Sequence, residues 1–264
     1  MRLVDVSLGG PTRYMDQPAI PERFRREFKM WVWDDGEAAG ELRVGGPAPE
    51  GADDCVSQTI ISHGVWEVPQ SIFLMSAIAA NPHARFVDLG CQIGWFSLLA
   101  ASFGMKVEAL DANASALGVL RASAEENGWT KQIMFVHGEV QRYEPPVLAE
   151  PLIVKIDVEG AELRAVQRLS YAFMGKRISH CLMEVSPCFY DYYPNLLAYL
   201  FDLGYRGWVM PSKRVPPRVF RDTESFLLRH CRRLDYLTRA SMRDWVQAQH
   251  QFDVILALPE AKWG

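Results

Sequence analysis

The chain is poor in cysteine: five among 264 residues, namely Cys55, Cys91, Cys181, Cys188 and Cys231. The number is odd and no pair has zinc-ligand spacing. That argues against a disulfide framework or a cysteine-based metal site, and for reduced thiols with Cys91 and Cys181 in the core. Long apolar runs are also missing: none approaches the roughly 20 residues that a membrane-spanning helix needs. Met1-Arg2-Leu3-Val4-Asp5 lacks the apolar stretch of a secretory signal. The expectation is a soluble cytoplasmic protein with no membrane span. A basic excess is absent too. Lys and Arg number 28 against 32 Asp and Glu, a net charge of -4, which argues against binding nucleic acid chiefly through a basic surface. There are no internal repeats and no low-complexity tract. What is plentiful is hydrophobic residues, at 49%, enough to build the core of one large α/β domain.

Residues 1–57 read as an irregular N-terminal extension, punctuated by Pro11, Pro18 and Pro21. Within it, Phe24, Phe28 and Trp31 suggest an amphipathic helix over Pro21 to Trp33. Asp34 to Asp54 reads as a loop or hairpin. From residue 58 to 264 strand and helix patterns alternate. Strands are expected at Arg85–Leu89, Lys106–Leu110, Ile133–Val136, Leu152–Ile156, Ser179–Val185, Tyr205–Met210 and Phe252–Leu258. Between them, helices are expected at Trp95–Phe103, Ser115–Asn127, Ala161–Met174 and Pro194–Asp202, after a first helix opened by Pro69. The pattern predicts a doubly wound, mostly parallel Rossmann-like sheet. Residues 211–251 break it. They carry Arg214, Arg218, Arg221, Arg229, Arg232, Arg233, Arg239 and Arg243, and read either as a solvated insertion or as a cover over the site.

Two segments carry the chemistry. Phe86-Val87-Asp88-Leu89-Gly90-Cys91-Gln92-Ile93-Gly94 and Ile153-Val154-Lys155-Ile156-Asp157-Val158-Glu159-Gly160 are each an apolar run ending in an acid and then glycine. That is how a buried parallel strand delivers a carboxylate to the open edge of a sheet, where ligands of such folds bind. The first turn lacks the middle glycine of Gly-x-Gly-x-x-Gly, which weakens a pyrophosphate-binding reading. The next strand ends in Asp111, placed to hold a ribose diol. The third ends in Gly138-Glu139-Val140, where a carboxylate can meet an adenine amine while Val140 and Ala112 pack on the ring. Ribose and adenine contacts without a phosphate cradle describe an adenosine compound such as S-adenosylmethionine.

Val-Asp-Leu-Gly-Cys-Gln-Ile-Gly-Trp-Phe-Ser, Ala-Leu-Asp-Ala-Asn and Val-Lys-Ile-Asp-Val-Glu-Gly-Ala-Glu resemble the FkbM-type class I methyltransferases. Gly64-Val65-Trp66-Glu67-Val68-Pro69 resembles that family's lead-in to the domain, and Phe252 to Pro259 its closing strand. The resemblance spans roughly residues 60 to 210 plus the last strand. Gln92 stands where the family usually has Asn, and Asp111-Ala112 where it usually has Glu-Pro. The resemblance implies a seven-stranded sheet with its last strand antiparallel. It implies methyl transfer from S-adenosylmethionine, with S-adenosylhomocysteine as product, usually to a hydroxyl oxygen of a sugar, glycan or natural product. Asp88, Gly90, Cys91 and Gly94 would line the methionine end, with Gln92 and Glu67 alongside. Asp111 would hold the ribose; Ala112, Asn113, Glu139 and Val140 would surround the adenine; Asp157 would stand near the sulfonium.

An alcohol acceptor needs a general base. The candidates are Asp157 and Glu159, which strand periodicity would send the same way, then Glu184 and His63. Glu162 reads as support for its helix. Lys155 reads as buried or paired with an acid. Asp157 and Glu184, on neighbouring strand ends, could also hold a divalent metal, although no metal is favoured. Phe189, Tyr190, Tyr192 and Tyr193 read as core or as an acceptor pocket. Competing functions are a nicotinamide-dependent oxidoreductase, an RNA (ribose or cap) methyltransferase, and a silent cofactor-binding module. The first is disfavoured by the missing glycine and the lack of a Tyr-x-x-x-Lys pair, the second by the acidic total. The intact acids argue against the third.

Overall fold

The computed structural model describes residues 1–8, 20–33, 55–145, 150–188, 190–210, 226 and 231–263. Its main sheet is built from β3 (Arg85–Leu89), β4 (Val107–Asp111), β5 (Ile133–His137), β6 (Leu152–Ile156), β7 (Ile178–Val185), β8 (Arg206–Val209), β9 (Arg232–Arg233) and β10 (Phe252–Ala257). The strand order is β5-β4-β3-β6-β7-β10-β8-β9. Strands β3 to β7 run parallel, and β10 is inserted antiparallel between β7 and β8. This is a Rossmann-like, doubly wound and mostly parallel sheet. It has eight strands rather than the expected seven. The extra one is the short β9, antiparallel to β8, which falls inside the stretch read as an insertion. The rest of that stretch, 211–225 and 227–230, lies outside the described residues, as does Phe189.

Apolar side chains alternate along the central strands and fill both faces. Phe86, Ile153, Leu182 and Ile255 face α2 (Val68–Ala80), α3 (Trp95–Ser102) and α4 (Ala114–Glu126). Val87, Val154, Met183 and Val254 face α5 (Glu162–Arg168), α6 (Ser170–Met174), α7 (Tyr193–Asp202) and α8 (Arg239–Gln247). The single helix expected over Ala161–Met174 is therefore two, separated at Leu169. Strand β10 fits between β7 and β8 because Val254, Ile255, Leu256 and Ala257 are all buried, as a strand covered on both faces requires.

The N-terminal expectation of a helix fails. Residues 22–24 form one 3-10 turn, and Arg26–Val32 is a strand, β2, paired antiparallel with β1 (Arg2–Leu8). The period of two explains why: Phe28, Met30 and Val32 are buried while Glu27 and Lys29 are exposed. The hairpin seats on the α3–α4 side. Trp31 N–H donates to Ser123 Oγ (2.9 Å), and Lys29 N–H donates to Asn127 Oδ1 (2.9 Å). Side chains of α4 thus satisfy donors of β2 that a further strand would otherwise take. Before α2, the short helix α1 (Cys55–His63) leads into the domain.

Candidate functional site

At the carboxyl ends of the parallel strands the sheet's period of two brings charge together. Asp88 follows Phe86, Lys155 follows Ile153, and Glu184 follows Leu182, each two residues on and so on the same face. Asp88 is in register with Lys155, and Lys155 with Leu182. On the antiparallel β10, Asp253 stands opposite Glu184. The face that is apolar in its middle thus turns ionic at its edge, beneath the start of α2.

One half of this edge is organised by β3, β4 and their turns. Gly90 adopts φ +83°, and a Cβ there would stand 1.7 Å from the Asp157 carbonyl oxygen. Only glycine lets the β3 turn lie this close to the end of β6. Gly94 also has positive φ (88°) and leads into α3. Asp88 is 1% exposed and accepts from Ser97 Oγ at 2.6 Å, while its Oδ1 has no partner. Burial pushes its carboxyl up to about 6, against the pull of Lys155 and Ser97. Asp111 accepts from the amides of Gln92 (2.7 Å) and Asn113 (2.8 Å). Burial raises its pKa, and those two bonds oppose the rise. Gln92 donates that bond from a left-handed backbone, φ 49°. Asn113 caps α4, its Oδ1 accepting from Ser115 and Ala116. Cys91 is buried and its thiol is pushed well up by burial. Val140 is buried in a 3-10 turn. Glu139 begins that turn, exposed, and accepts from Gln141. Ala112 is exposed, with its carbonyl 3.2 Å from His137 Nε2.

The other half gathers residues from four distant segments. Lys155 Nζ lies 2.6 Å from Asp157 Oδ2 and 4.9 Å from the Phe96 ring centroid. Its pKa is raised by Asp157, Glu67 and Asp88, which outweigh the larger single effect of burial. Glu67 precedes α2 in a left-handed conformation, φ 42°. Burial lifts its carboxyl to about 8; Asp253, Asp157 and Glu184 push the same way, and Lys155 opposes. Ser71 fixes this lead-in. Its hydroxyl donates to the Trp66 carbonyl (2.8 Å) and accepts from Trp95 Nε1 (2.9 Å). Glu184 is pushed up to about 7 by burial and then by Asp157. Asp253 is also raised, first by burial, and accepts from Gln70 Nε2 at 2.7 Å.

Two sequence readings change here. Strand β6 ends at Ile156, and Glu159 takes φ 45° and is exposed. The argument that Asp157 and Glu159 share a face therefore does not apply, because strand alternation has stopped before either residue. Glu162 is fully buried and accepts from Gly160 N (2.9 Å) and Tyr193 Oη (2.5 Å). Tyr192 Oη donates to the Gly160 carbonyl (2.8 Å). Both tyrosine hydroxyls thus fasten the loop after β6. His63 ends α1, half-buried, four positions ahead of Glu67. Sequence reasoning missed Asp253, Gln70 and Ser97. The available signal was the lone acid in Phe252-Asp253-Val254-Ile255-Leu256, near the start of a strand running against its neighbours. Among the described residues no group of three or more His, Cys, Asp or Glu has metal-site geometry.

The site fits a cationic cofactor. A buried carboxylate oxygen on Asp88 lacks a donor, the one ammonium in the row among the described residues already holds Asp157, and several acids would repel a pyrophosphate. Residues 60–145 match the family of methyltransferase small domains. Solved structures of similar layout include an rRNA methylase from Streptococcus thermophilus: 14% identity, TM-score 0.44, covering 72% of this chain and 95% of that one. A SAM-dependent O-methyltransferase from Thermotoga maritima is 13% identical, with TM-score 0.44, over 74% of this chain and 66% of that one. A tRNA (uracil-54, C5)-methyltransferase from Pyrococcus abyssi, in complex with S-adenosyl-L-homocysteine, is 15% identical, with TM-score 0.40, over 72% of this chain and 38% of that one. No curated protein matches the chain. Over residues 60–145 the chain is thus similar to the methyltransferase small domains, and its sheet order and strand-tip acids suit a cofactor such as S-adenosylmethionine.

Proposed function

We propose that the chain methylates a hydroxyl oxygen of a sugar, glycan or natural-product acceptor, as its FkbM-like motifs suggest, with Glu184 as the general base. The observation that carries this reading is the placement of Glu184 at the end of β7, half-buried, with a carboxyl near 7. A base is most effective when its pKa lies near the working pH. Asp157 is less suited, because Lys155 holds its carboxylate. Glu159 is exposed and outside the charged row.

Asp111 would hold the cofactor's ribose, Asp88 its ammonium, and Val140 and Ala112 would flank the adenine. Bound S-adenosylmethionine supplies an activated methyl group on a sulfonium leaving group. The protein's own work is then to align the acceptor oxygen and remove its proton. Glu184 takes that proton. The neighbouring Asp157–Lys155 pair keeps the strand tips fixed while the charge on Glu184 changes.

The test begins with calorimetric titration of S-adenosylmethionine and S-adenosylhomocysteine into the wild-type chain and Asp111→Ala. Binding that falls at least tenfold in the variant, roughly 1.4 kcal/mol, is expected. S-adenosylhomocysteine release is then measured with glycosides and with RNA oligonucleotides. Glycoside turnover should drop about 100-fold or more in Glu184→Gln, with cofactor affinity kept. Turnover of RNA alone, or an unchanged rate in Glu184→Gln, overturns the acceptor class or the base respectively.

A further inference from the structure

Ser102 and Ser123 follow the usual habit of a helical serine. They turn their hydroxyls back to carbonyls of their own helices, those of Leu99 (2.6 Å) and Val119 (2.9 Å). Ser97, in the same helix as Ser102, does otherwise. It is fully buried, and its hydroxyl crosses from α3 to β3 to donate to Asp88 Oδ2 at 2.6 Å. Ser97 has no part in the methyl transfer proposed above.

The bond matters because of what it leaves open. A carboxylate with one oxygen tied cannot rotate freely, so Ser97 fixes where Asp88 Oδ1 points. That oxygen is buried and has no partner among the described residues. Lys155 is in register with Asp88, yet its ammonium goes to Asp157 at 2.6 Å. The Cys91 thiol turns to the Gln92 carbonyl (3.7 Å). A buried acceptor without a donor is costly. Asp88 is closed to bulk water, so its missing donor arrives with a ligand or with a water that the ligand holds. Ser97 also helps to keep the group charged. Burial, Asp157 and Asp111 favour the neutral acid, while Lys155 and Ser97 oppose them. A neutral Asp88 would be a poor partner for an ammonium.

We propose that Ser97 is a positioning residue for cofactor binding: by tying Asp88 Oδ2 it aims Oδ1 at the protonated amine of the cofactor's methionine arm, and so makes the site select ligands that carry that amine. This inference rests on the S-adenosylmethionine reading above. It adds to that reading a residue that acts through Asp88 and not by contact with the cofactor. A ligand without the amine would leave Oδ1 buried and unpartnered, which is how a site built around one polar group rejects an analogue lacking it. Without the serine hydroxyl the carboxylate is free to turn, and the selection weakens.

The experiment titrates two ligands into the full chain: S-adenosylhomocysteine and its deamino analogue, in which hydrogen replaces the amine. Wild type is expected to bind the amine-bearing ligand about tenfold or more tightly. Ser97→Ala should weaken S-adenosylhomocysteine about fivefold or more and leave the deamino analogue within about twofold, so that the preference shrinks. Ser97→Cys, similar in size and a weaker donor, should fall between, and it carries the same comparison should Ser97→Ala fail to fold. Asp88→Asn should remove the preference. A serine with a merely structural role would weaken both ligands alike. Equal weakening of the two ligands by Ser97→Ala, or weakening of neither, overturns the proposal and leaves the cofactor reading in place. Equal affinity of the wild type for both overturns it as well, because Asp88 then does not meet the amine. Binding of neither by the wild type strikes the S-adenosylmethionine reading itself, and the proposal with it.

Discussion

The two halves of the sheet edge use the same residue type differently. At the β3 and β4 tips each acid is served by neighbours close in sequence: Asp88 by Ser97, Asp111 by the amides of Gln92 and Asn113. At the β6, β7 and β10 tips the acids answer to one another, and to a single lysine, across long stretches of chain. The first arrangement is held by local hydrogen bonds, with the buried Asp88 Oδ1 left open. The second is a set of neighbouring acids whose pKa values burial and mutual repulsion raise together.

The strongest way to break this contrast is at the joint between the halves. Gly90 belongs to the β3 turn but touches the Asp157 carbonyl of the β6 end. Gly90→Ala adds a Cβ into backbone and strains a φ of +83°. Relief needs β3 and β6 to separate. Stability is expected to fall by about 3 kcal/mol or more, with cofactor binding lost in parallel. Urea melts and calorimetry check this. A variant with near wild-type melting and affinity would mean that the halves are not held at this contact.

The next largest effect concerns the acceptor half alone. Lys155→Met keeps the packing on Phe96 but removes the only cation from the row. Stripping one partner from a buried pair typically costs about 3–5 kcal/mol. The loss should be greater near pH 8 than near pH 5.5, because at higher pH the remaining acids are ionised and repel, whereas protonation at lower pH relieves them. Thermal melts of wild type and Lys155→Met across that range provide the comparison. A loss independent of pH would mean that Lys155 acts by packing and not by charge.

The β3–β4 half of the edge was legible in the sequence because its contacts are local. Its acids, glycines and cap lie within a few residues of the contacts they make, so Asp88-x-Gly90 and Asp111-Ala112-Asn113 could be read locally. The order of elements was legible too, because buried parallel strands write continuous apolar runs. The acceptor half was hidden because its members come together only through register. Asp253 means little until β10 is known to run antiparallel beside β7. The shared face of Asp157 and Glu159 was misread because alternation was extended past the strand's end at Ile156. The helix expected over Pro21 to Trp33 came from weighing three aromatics over the period of two in Glu27, Phe28, Lys29 and Met30. Only a hairpin partner as distant as Arg2–Leu8 makes that strand worthwhile.

The smallest expected effect sharpens the contrast by titration. Burial lifts Glu67 from 4.5 to about 8 and Asp88 from 3.8 to about 6. Both folded values lie above the unfolded ones, so in each case the fold favours the protonated acid. That contribution is complete below the unfolded pKa and is lost as pH rises through the folded pKa. Glu67→Gln and Asp88→Asn mimic the neutral acids and should escape the loss. Relative to wild type, Asp88→Asn should gain stability between about pH 4 and 6 and then level off. Glu67→Gln should continue to gain up to about pH 8. Denaturant melts at closely spaced pH values read both curves. Coincident curves would mean that the two halves share one electrostatic environment, and the division of labour between a rigid cofactor end and a responsive acceptor end would fall.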